Sequence, residues 1–484
     1  MVPVWSIEKA TQYSMREDKR VAFSSLEFIF RFFPAFLALY YLAPYKHRNK
    51  VLLIGSLCFY ALGDFRYLPL ILASVGINYL IVRQMIRHRD HEKIWLLLSL
   101  VYNIGTLFFF KYSNFLIENM NAIAKVFQLE KELPLLNLSL PLGISFYTFQ
   151  VISCVVDVYR KEIGEELTFL NFATYVTMFP KILSGPITSY GEISEELSVR
   201  KYNIFKIEIG LRFFILGLGM KVLVADRIGL LWNDIQTIGF QSISTPLAWL
   251  GSLAYSLQIY LDFQGYSLMA IGVGRMLGFH LPANFNHPYM SKSITEFWRR
   301  WHMTLGMWFR SYVYIPLGGN RYGVKRLAAN LFAVWILTGL WHGASWNFVL
   351  WGMFLFLLIL LEKLFYKPLL DRSRILARLY MLFVIPVTWI IFAVNHVKDL
   401  MIYLGRMFGF YQGVNVNPND YLRYFSQYKW LFLIGGFLCF PYGKRIFNRF
   451  QNSLACTVFL LAIFWYSVYF ISNGANNPFL YFKF

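Results

Sequence analysis

The chain has 484 residues, of which 57% are hydrophobic, 19% aromatic and only 15% charged. Soluble domains carry about 25% charged and about 45–50% apolar residues, so these totals exclude an ordinary soluble protein and point to one embedded in a membrane. The formal net charge of +20 would suggest nucleic acid in a soluble chain, but here the basic residues fall between apolar runs and no basic soluble domain is present, so no nucleic-acid partner is expected.

Residues 1–20 are polar and mixed in charge, with "REDKR" at 16–20 and no small-residue cleavage site before the first apolar run. Residues 1–22 are therefore read as a polar N-terminal extension and 23–484 as one membrane domain. Apolar runs follow at 23–43, 51–62, 66–82, 94–110, 139–158, 169–187, 208–231, 246–261, 264–279, 328–341, 345–365, 377–396, 429–441 and 455–472. Crossing a bilayer takes about 20 such residues, so the pattern predicts an all-α, polytopic protein of roughly 10 to 12 spans plus re-entrant or interfacial helices. The loops "YKHRNK" (45–50) and "RQMIRHRDHEK" (83–93) are basic, which assigns them to the cytoplasmic side and the N-terminus to the outside. Cys58, Cys154, Cys439 and Cys456 show no C-x-x-C spacing and read as buried small hydrophobes.

Polar groups gather in "YSLQIYLDFQGYSLMAIG" (255–272), where Gln258 and Asp262 lie among apolar residues. A carboxylate at membrane depth is costly unless paired; Asp262 orients a histidine, lines a polar channel or belongs to a structural network between helices. The segment 281–327 carries Lys292, Arg299, Arg300, Arg310, Arg321, Lys325 and Arg326 against Glu296 alone, and reads as cytoplasmic. Within it, "SITEFWRRWHMTLGMWFR" (293–310) reads as one amphipathic helix. Ser293 and Glu296 have capping-box spacing. Ile294, Phe297, Trp301 and Trp308 share one face, and Arg299, His302 and Gly306 another. Such a helix suits the membrane interface, and its basic face suits the phosphates of a nucleotide-like acyl donor. In "YIPLGGNRYG" (314–323), the Gly318–Gly319 turn offers backbone N–H groups to an anion, with Arg321 beside it.

"LTGLWHGASWNFVLWGMFLF" (337–356) places His342 between Trp341 and Gly343 in an otherwise apolar segment. An ionisable residue there is a functional candidate by default; the structural alternative is a neutral ring bonded to a backbone carbonyl. A histidine titrates near neutral pH and serves as a general base. No metal-ligand spacing accompanies it, so no metal site is expected, and no G-x-S-x-G nucleophile elbow is present. A base acting on an incoming hydroxyl fits better than one activating a protein nucleophile.

Taken together, "FSSLEFIFRFFPAFLALYYLAP" (23–44), "PLGISFYTFQ" with "VDVYR" (141–160), "FPKILSGPI" (179–187), "GLGMKVLVAD" (217–226), "IYLDFQGYSLMAIGVG" (259–274), "NFNHPYMSKSITEFWRRWHMTLGMWFRSYVYIPLGGNR" (284–321) and "LTGLWHGASWNFVLWG" (337–352) resemble the membrane-bound O-acyltransferase (MBOAT) superfamily, in its branch of alginate O-acetylase membrane subunits (AlgI-like). The resemblance runs from about Val21 to about Lys363, and its last two motifs are the most specific. It implies a ring of tilted helices around a central tunnel, with His342 as the catalytic histidine and His302, a position that is Asn or Asp in other members, in support. Arg299, Arg300 and Arg321 would hold the donor, and Asp262, Gln258 and Trp341 would line or support the tunnel. The implied reaction moves an acetyl group from cytoplasmic acetyl-CoA, a substrate rather than a bound cofactor, to a hydroxyl of an exported or cell-wall polysaccharide. Transfer is direct or through an extracytoplasmic SGNH-type partner, across a bacterial inner membrane. Two rival readings are D-alanyl transfer to teichoic acid from a carrier-protein thioester and a non-catalytic polymer or acyl transporter.

Overall fold

The computed structural model describes residues 22–129, 132–164, 166–200, 203–474 and 480; the extension assigned to residues 1–22 lies, except for its last residue, outside them. Every regular element among the described residues is helical. Among the described residues, six segments can cross a membrane by length and composition: Tyr45–Arg87, Arg89–Val126, Gly323–His342, Trp346–Arg372, Arg374–Ala393 and Leu454–Ser472. The roughly 10 to 12 spans expected came from counting apolar runs, each judged against the membrane's thickness. Several of those runs fold as shorter helices, such as Ile144–Tyr159, of 16 residues, and Phe169–Thr177, of 9.

The chain divides into two compact units. The first comprises the described residues up to Phe214, with Met269–Leu281 and the described residues from Ile471 onward. It contains α1 (Phe33–Leu42), α2 (Arg48–Asp64), α3 (Leu68–Arg87), α4 (Glu92–Val126), α5 (Ile144–Tyr159), α6 (Phe169–Thr177), α7 (Phe179–Ile182), α8 (Tyr190–Ser198) and most of α9 (Ile204–Gly219). Apolar surface cannot drive helices together inside lipid, so polar pairs and close packing hold them. Asn78 of α3 and Asn103 of α4 exchange amide hydrogen bonds of 3.2 and 2.7 Å, and the Ser99 hydroxyl donates to Asn78 at 2.7 Å.

The run at 169–187 folds as a hairpin rather than a span. Asn49 Nδ2 donates both to Asn171 Oδ1, at the start of α6, and to the Leu197 carbonyl, near the end of α8, at 3.0 and 2.7 Å. Asn49, in the first turn of α2, therefore ties the start of α6 to the end of α8. At its turn, Ser56 accepts a hydrogen bond from the Phe179 N–H at 3.2 Å. Gly143 meets the turn with φ +69°, and a Cβ there would lie 2.3 Å from the Ile182 carbonyl oxygen; both the left-handed backbone and the close approach require glycine. Cys154, Cys439 and Cys456 are buried as expected, but Cys58 is exposed on α2. An outward position on a lipid-facing helix suits a small apolar side chain as well as the interior does.

The second unit comprises Ile215–Leu268 and Pro282–Phe470. It holds α10 (Asp226–Ile238), the first part of α11 (Thr245–Met276), α12 (Ile294–Arg300), α13 (Met303–Phe309), α14 (Gly323–His342), α15 (Trp346–Leu361), α16 (Lys367–Arg372), α17 (Arg374–Ala393), α18 (Val397–Phe408), α19 (Asp420–Cys439), α20 (Tyr442–Phe450) and nearly all of α21 (Leu454–Ser472). Helices α14 and α15 pack backbone to backbone: a Cβ on Gly339 would lie 2.3 Å from the Phe348 carbonyl oxygen, and one on Gly352 would lie 2.4 Å from that of Trp335. Small residues at a helix crossing permit this approach, and it fixes the end of α14, where His342 stands.

The single helix expected over 293–310 is two helices. Trp301 is extended and His302 is left-handed, at φ +41°. The break is stabilised from outside the segment. The Asn284 carbonyl accepts the Met303 N–H at 2.8 Å. The N-terminus of α12 is capped twice, by Ser293 Oγ accepting from the Glu296 N–H at 3.1 Å and by the buried Glu362 carboxylate accepting from the N–H groups of Ile294 and Thr295 at 2.7 and 3.2 Å. A carboxylate there satisfies orphan donors and faces the positive end of the helix dipole. Glu296 itself reaches the Lys292 N–H at 2.8 Å, one residue earlier than a capping box requires. Ile294, Phe297, Trp301 and Trp308 are all buried as the periodicity predicts. Arg299 and Gly306 are exposed while His302 is buried, because the break rotates the second half of the segment.

Candidate functional site

His302 and His342 lie 40 positions apart in sequence and meet the same indole. The Trp341 ring centroid is 5.0 Å from that of His342 and 6.2 Å from that of His302. Both histidines are buried, at 5% and 2% relative exposure. His342 ends α14 and is enclosed by Trp351 at 5.2 Å and Phe392 at 5.3 Å. Phe392 is held in turn, because its carbonyl accepts from Asn347 Nδ2 at 2.8 Å. Behind this cage, Trp298, Trp335, Trp351, Trp301 and Trp389 form a continuous aromatic wall, with Trp298 5.3 Å from Trp351 and Trp301 4.6 Å from Trp389. The cage leaves little polar solvation to compete with a bound hydroxyl for the imidazole.

His302 is oriented by polar contacts. Its Nδ1 is 3.2 Å from Asn284 Oδ1, which also accepts from the Thr304 hydroxyl at 2.6 Å, while Asn284 Nδ2 donates to Ser267 at 3.2 Å. With an amide oxygen accepting, Nδ1 carries the ring proton and Nε2 carries the lone pair. Phe263 lies edge-on to the ring at 4.7 Å. Burial pushes the His302 pKa down to about 3, so the ring is neutral across the physiological range.

Asp262 and Gln258 are engaged elsewhere in the same unit. Lys221 Nζ lies 2.6 Å from Asp226 and 3.3 Å from Asp262, and all three side chains are buried. Of the readings open for Asp262, these contacts fit a structural network between helices, one residue from the Phe263 that packs on His302. Gln258 packs against Gly229, whose Cβ, if present, would lie 2.2 Å from Gln258 Nε2. The three arginines are surface residues: Arg299 and Arg321 are exposed, and Arg300 pairs with Glu296 at 2.7 Å. The Gly318–Gly319 turn is not an open anion nest. The N–H groups of Gly318, Gly319 and Arg321 already bond to the carbonyls of Ile315, Tyr314 and Gly318, at 2.9, 2.9 and 3.3 Å.

Sequence reasoning overlooked Asn284, Glu362 and Lys221. Glu362 carried a usable signal, an acidic residue at the end of a long apolar run. Asn284 opens the 284–321 motif, but nothing local in "FHLPANFNHPY" marks it as the residue that would meet His302.

The membrane-bound O-acyltransferase family matches residues 101–405, more than half of the chain. The chain belongs to the MBOAT family. The match spans both histidines and the Trp341 ring between them. Among curated proteins, the chain is 38% identical to the probable alginate O-acetylase AlgI of Pseudomonas putida, over 81% of each chain. It is 33% identical to the peptidoglycan O-acetyltransferase of Helicobacter pylori, over 80% of each. A teichoic acid D-alanyltransferase of Bacillus subtilis is 30% identical over 44% of this chain and 56% of its own length. This MBOAT chain is therefore a multi-pass membrane O-acyltransferase of the AlgI-like branch.

Proposed function

We propose that the protein transfers an acetyl group from cytoplasmic acetyl-CoA to a hydroxyl of an exported or cell-wall polysaccharide, directly or through an extracytoplasmic SGNH-type partner, in a bacterial inner membrane. The observation that carries this reading is the pair of buried histidines sharing Trp341, at positions that the resemblance assigns to catalysis. In this mechanism His342 removes the proton of the acceptor hydroxyl as the oxygen attacks the thioester carbonyl. The C–O bond forms, the C–S bond breaks, and the imidazolium returns its proton to the departing thiolate. The aromatic enclosure positions the reactants and limits hydrolysis. His302, held by Asn284, offers a neutral ring that orients the reacting groups.

Membranes containing the chain and supplied with isotopically labelled acetyl-CoA are expected to place label in polymer or in a partner protein. Label appearing only from a D-alanyl carrier-protein thioester would overturn the acetyl reading in favour of the teichoic-acid one, which the teichoic acid D-alanyltransferase relative supports over less than half of this chain. Passage of polymer with no transfer from either donor would favour the transporter reading.

His302→Ala is expected to slow acetyl transfer partially, by about tenfold to a hundredfold, the range for losing one positioning contact. Because the His302 pKa lies near 3, the pH–rate profile above pH ~5 should keep its shape in the variant. Wild-type rates would make His302 a packing residue only, and a lost inflection near neutrality would make it the titrating base.

A further inference from the structure

Helix α20 (Tyr442–Phe450) is divided along its length. By helical periodicity Tyr442, Ile446 and Phe450 share one side with Gly443 and Phe447, while Lys444, Arg445, Asn448 and Arg449 occupy the other. The protein uses one edge of the apolar side. Phe447 packs on the cluster of Ile215, Cys456 and Leu460, and a Cβ on Gly443 would lie 3.4 Å from the Phe437 ring of α19. The rest of that side is open, with Tyr442, Ile446 and Phe450 each 53% exposed. Lys444, Arg445 and Arg449 are exposed too, and none of residues 421–484 is acidic. The Arg445 and Arg449 guanidinium groups lie 5.9 and 5.7 Å from the ring centroids of Tyr442 and Phe450, so both charges border the apolar side.

Two neighbours place this helix at a membrane surface. Helix α21 begins at Leu454, four positions after Phe450, and is long and apolar enough to cross a membrane. Its 19 residues rise about 28 Å, close to the thickness of the hydrocarbon core, so its first turn lies at one face of the bilayer. At the other end of α20, the carbonyl oxygen of Cys439, the last residue of α19, lies 3.3 Å from His287 Nδ1. That contact puts α20 on the side of the basic segment from Lys292 to Arg326, which the charge rule assigns to the cytoplasm.

We propose that α20 is an in-plane anchor that takes anionic phospholipid headgroups of the cytoplasmic leaflet on Lys444, Arg445 and Arg449, with Tyr442, Ile446 and Phe450 seated among the acyl chains. Both sides of the helix are satisfied at once by this partner. A soluble polyanion would leave three large apolar side chains in water, and an apolar protein surface would leave three cations unmatched. The cytoplasmic leaflet supplies the negative charge, and the cations act within its short electrostatic reach. The assignment does not depend on which acyl group the protein transfers, and α20 lies outside the residues that match the family.

The full-length protein, purified in detergent, would be titrated with phosphatidylglycerol and with phosphatidylcholine, and the retained lipid counted by native mass spectrometry. Lys444→Gln combined with Arg445→Gln and Arg449→Gln should weaken phosphatidylglycerol binding by about fivefold for each cation removed, and by less at high salt. Phosphatidylcholine retention should not change. The control Lys325→Gln with Arg326→Gln, basic residues of the same segment side but without the apolar stripe, should bind as the wild type does. A second measurement places the helix without removing its charges. In a Cys58→Ala background, nitroxide labels would be attached at Ile446→Cys and, separately, at Arg445→Cys, in bilayers containing phosphatidylglycerol. The label at 446 should be reached by oxygen and shielded from a water-soluble nickel chelate, and the label at 445 should be reached by the chelate. Phosphatidylglycerol binding that survives the triple replacement, or falls equally in the control, would overturn the assignment. So would a label at 446 that the chelate reaches, or one that a co-purified protein covers.

Discussion

Replacing His342 by alanine is expected to reduce acetyl transfer to background, a loss of at least about 10²–10⁴-fold if the ring is the general base. The geometry makes the effect specific. His342 is the last residue of α14 and faces the aromatic rings of Trp341, Trp351 and Phe392. Alanine ends the helix as readily as histidine, and the Gly339–Gly352 packing that sets the end of α14 does not involve the ring. The variant should therefore elute as a single species on size exclusion and keep its membrane insertion. His342→Gln, which preserves volume and polarity but cannot take up a proton at neutral pH, should be as inactive as alanine. Normal polymer acetylation by either variant would remove His342 from the mechanism. Activity retained by glutamine but lost with alanine would assign it a packing role.

The second large effect falls on stability. Lys221 has 1% side-chain exposure and faces two carboxylates of 3% each. Lys221→Met removes the cation and leaves Asp226 and Asp262 buried beside each other. Breaking a buried ion pair by removing one partner costs about 3–5 kcal/mol. That is a large share of the stability of a typical folded protein, so the expected result is little or no monodisperse protein after extraction. The triple replacement Lys221→Met, Asp226→Asn and Asp262→Asn removes all three charges at once and should recover much of the loss, since a neutral buried cluster has no unpaired ion. Thermal melting followed by size exclusion in one detergent would compare the three proteins. A single variant as stable as the wild type would mean that water reaches the cluster; a triple variant as unstable as the single one would mean that the ion pairs fix the helix geometry.

The all-helical membrane class was legible because composition and apolar runs report on solvent directly. His342 was legible for the same reason: an ionisable ring in an apolar run stands out without any tertiary information. The run at 169–187 read as apolar, but its hairpin depends on Asn49, more than 100 positions earlier, and no local pattern encodes that tie. The break at Trp301–His302 was hidden by periodicity that favours one continuous helix; it is held from outside the segment by Asn284, whose carbonyl accepts the Met303 N–H and whose side chain meets His302 and Thr304. Asp262 was visible as an expensive carboxylate, yet its partner Lys221 lies on another element, so its purpose could be narrowed only by the contacts. The arginines were legible as a basic segment, whereas the hydrogen bond from Arg300 Nη1 to the Asn286 carbonyl, 14 positions earlier, was not.

The left-handed backbone at His302 makes that position answer to two demands at once. A side chain branched at Cβ is strained at φ +41°, whereas asparagine and aspartate enter this region more readily than most residues. The resemblance to the family places Asn or Asp at this position in other members, and those are the substitutions the turn itself accepts. His302→Asn thus isolates the loss of the imidazole, whereas His302→Val alters the hinge between α12 and α13 as well. Position 302 is therefore a joint that can be re-equipped, where the ring can be exchanged for another polar group without bending the chain that carries it.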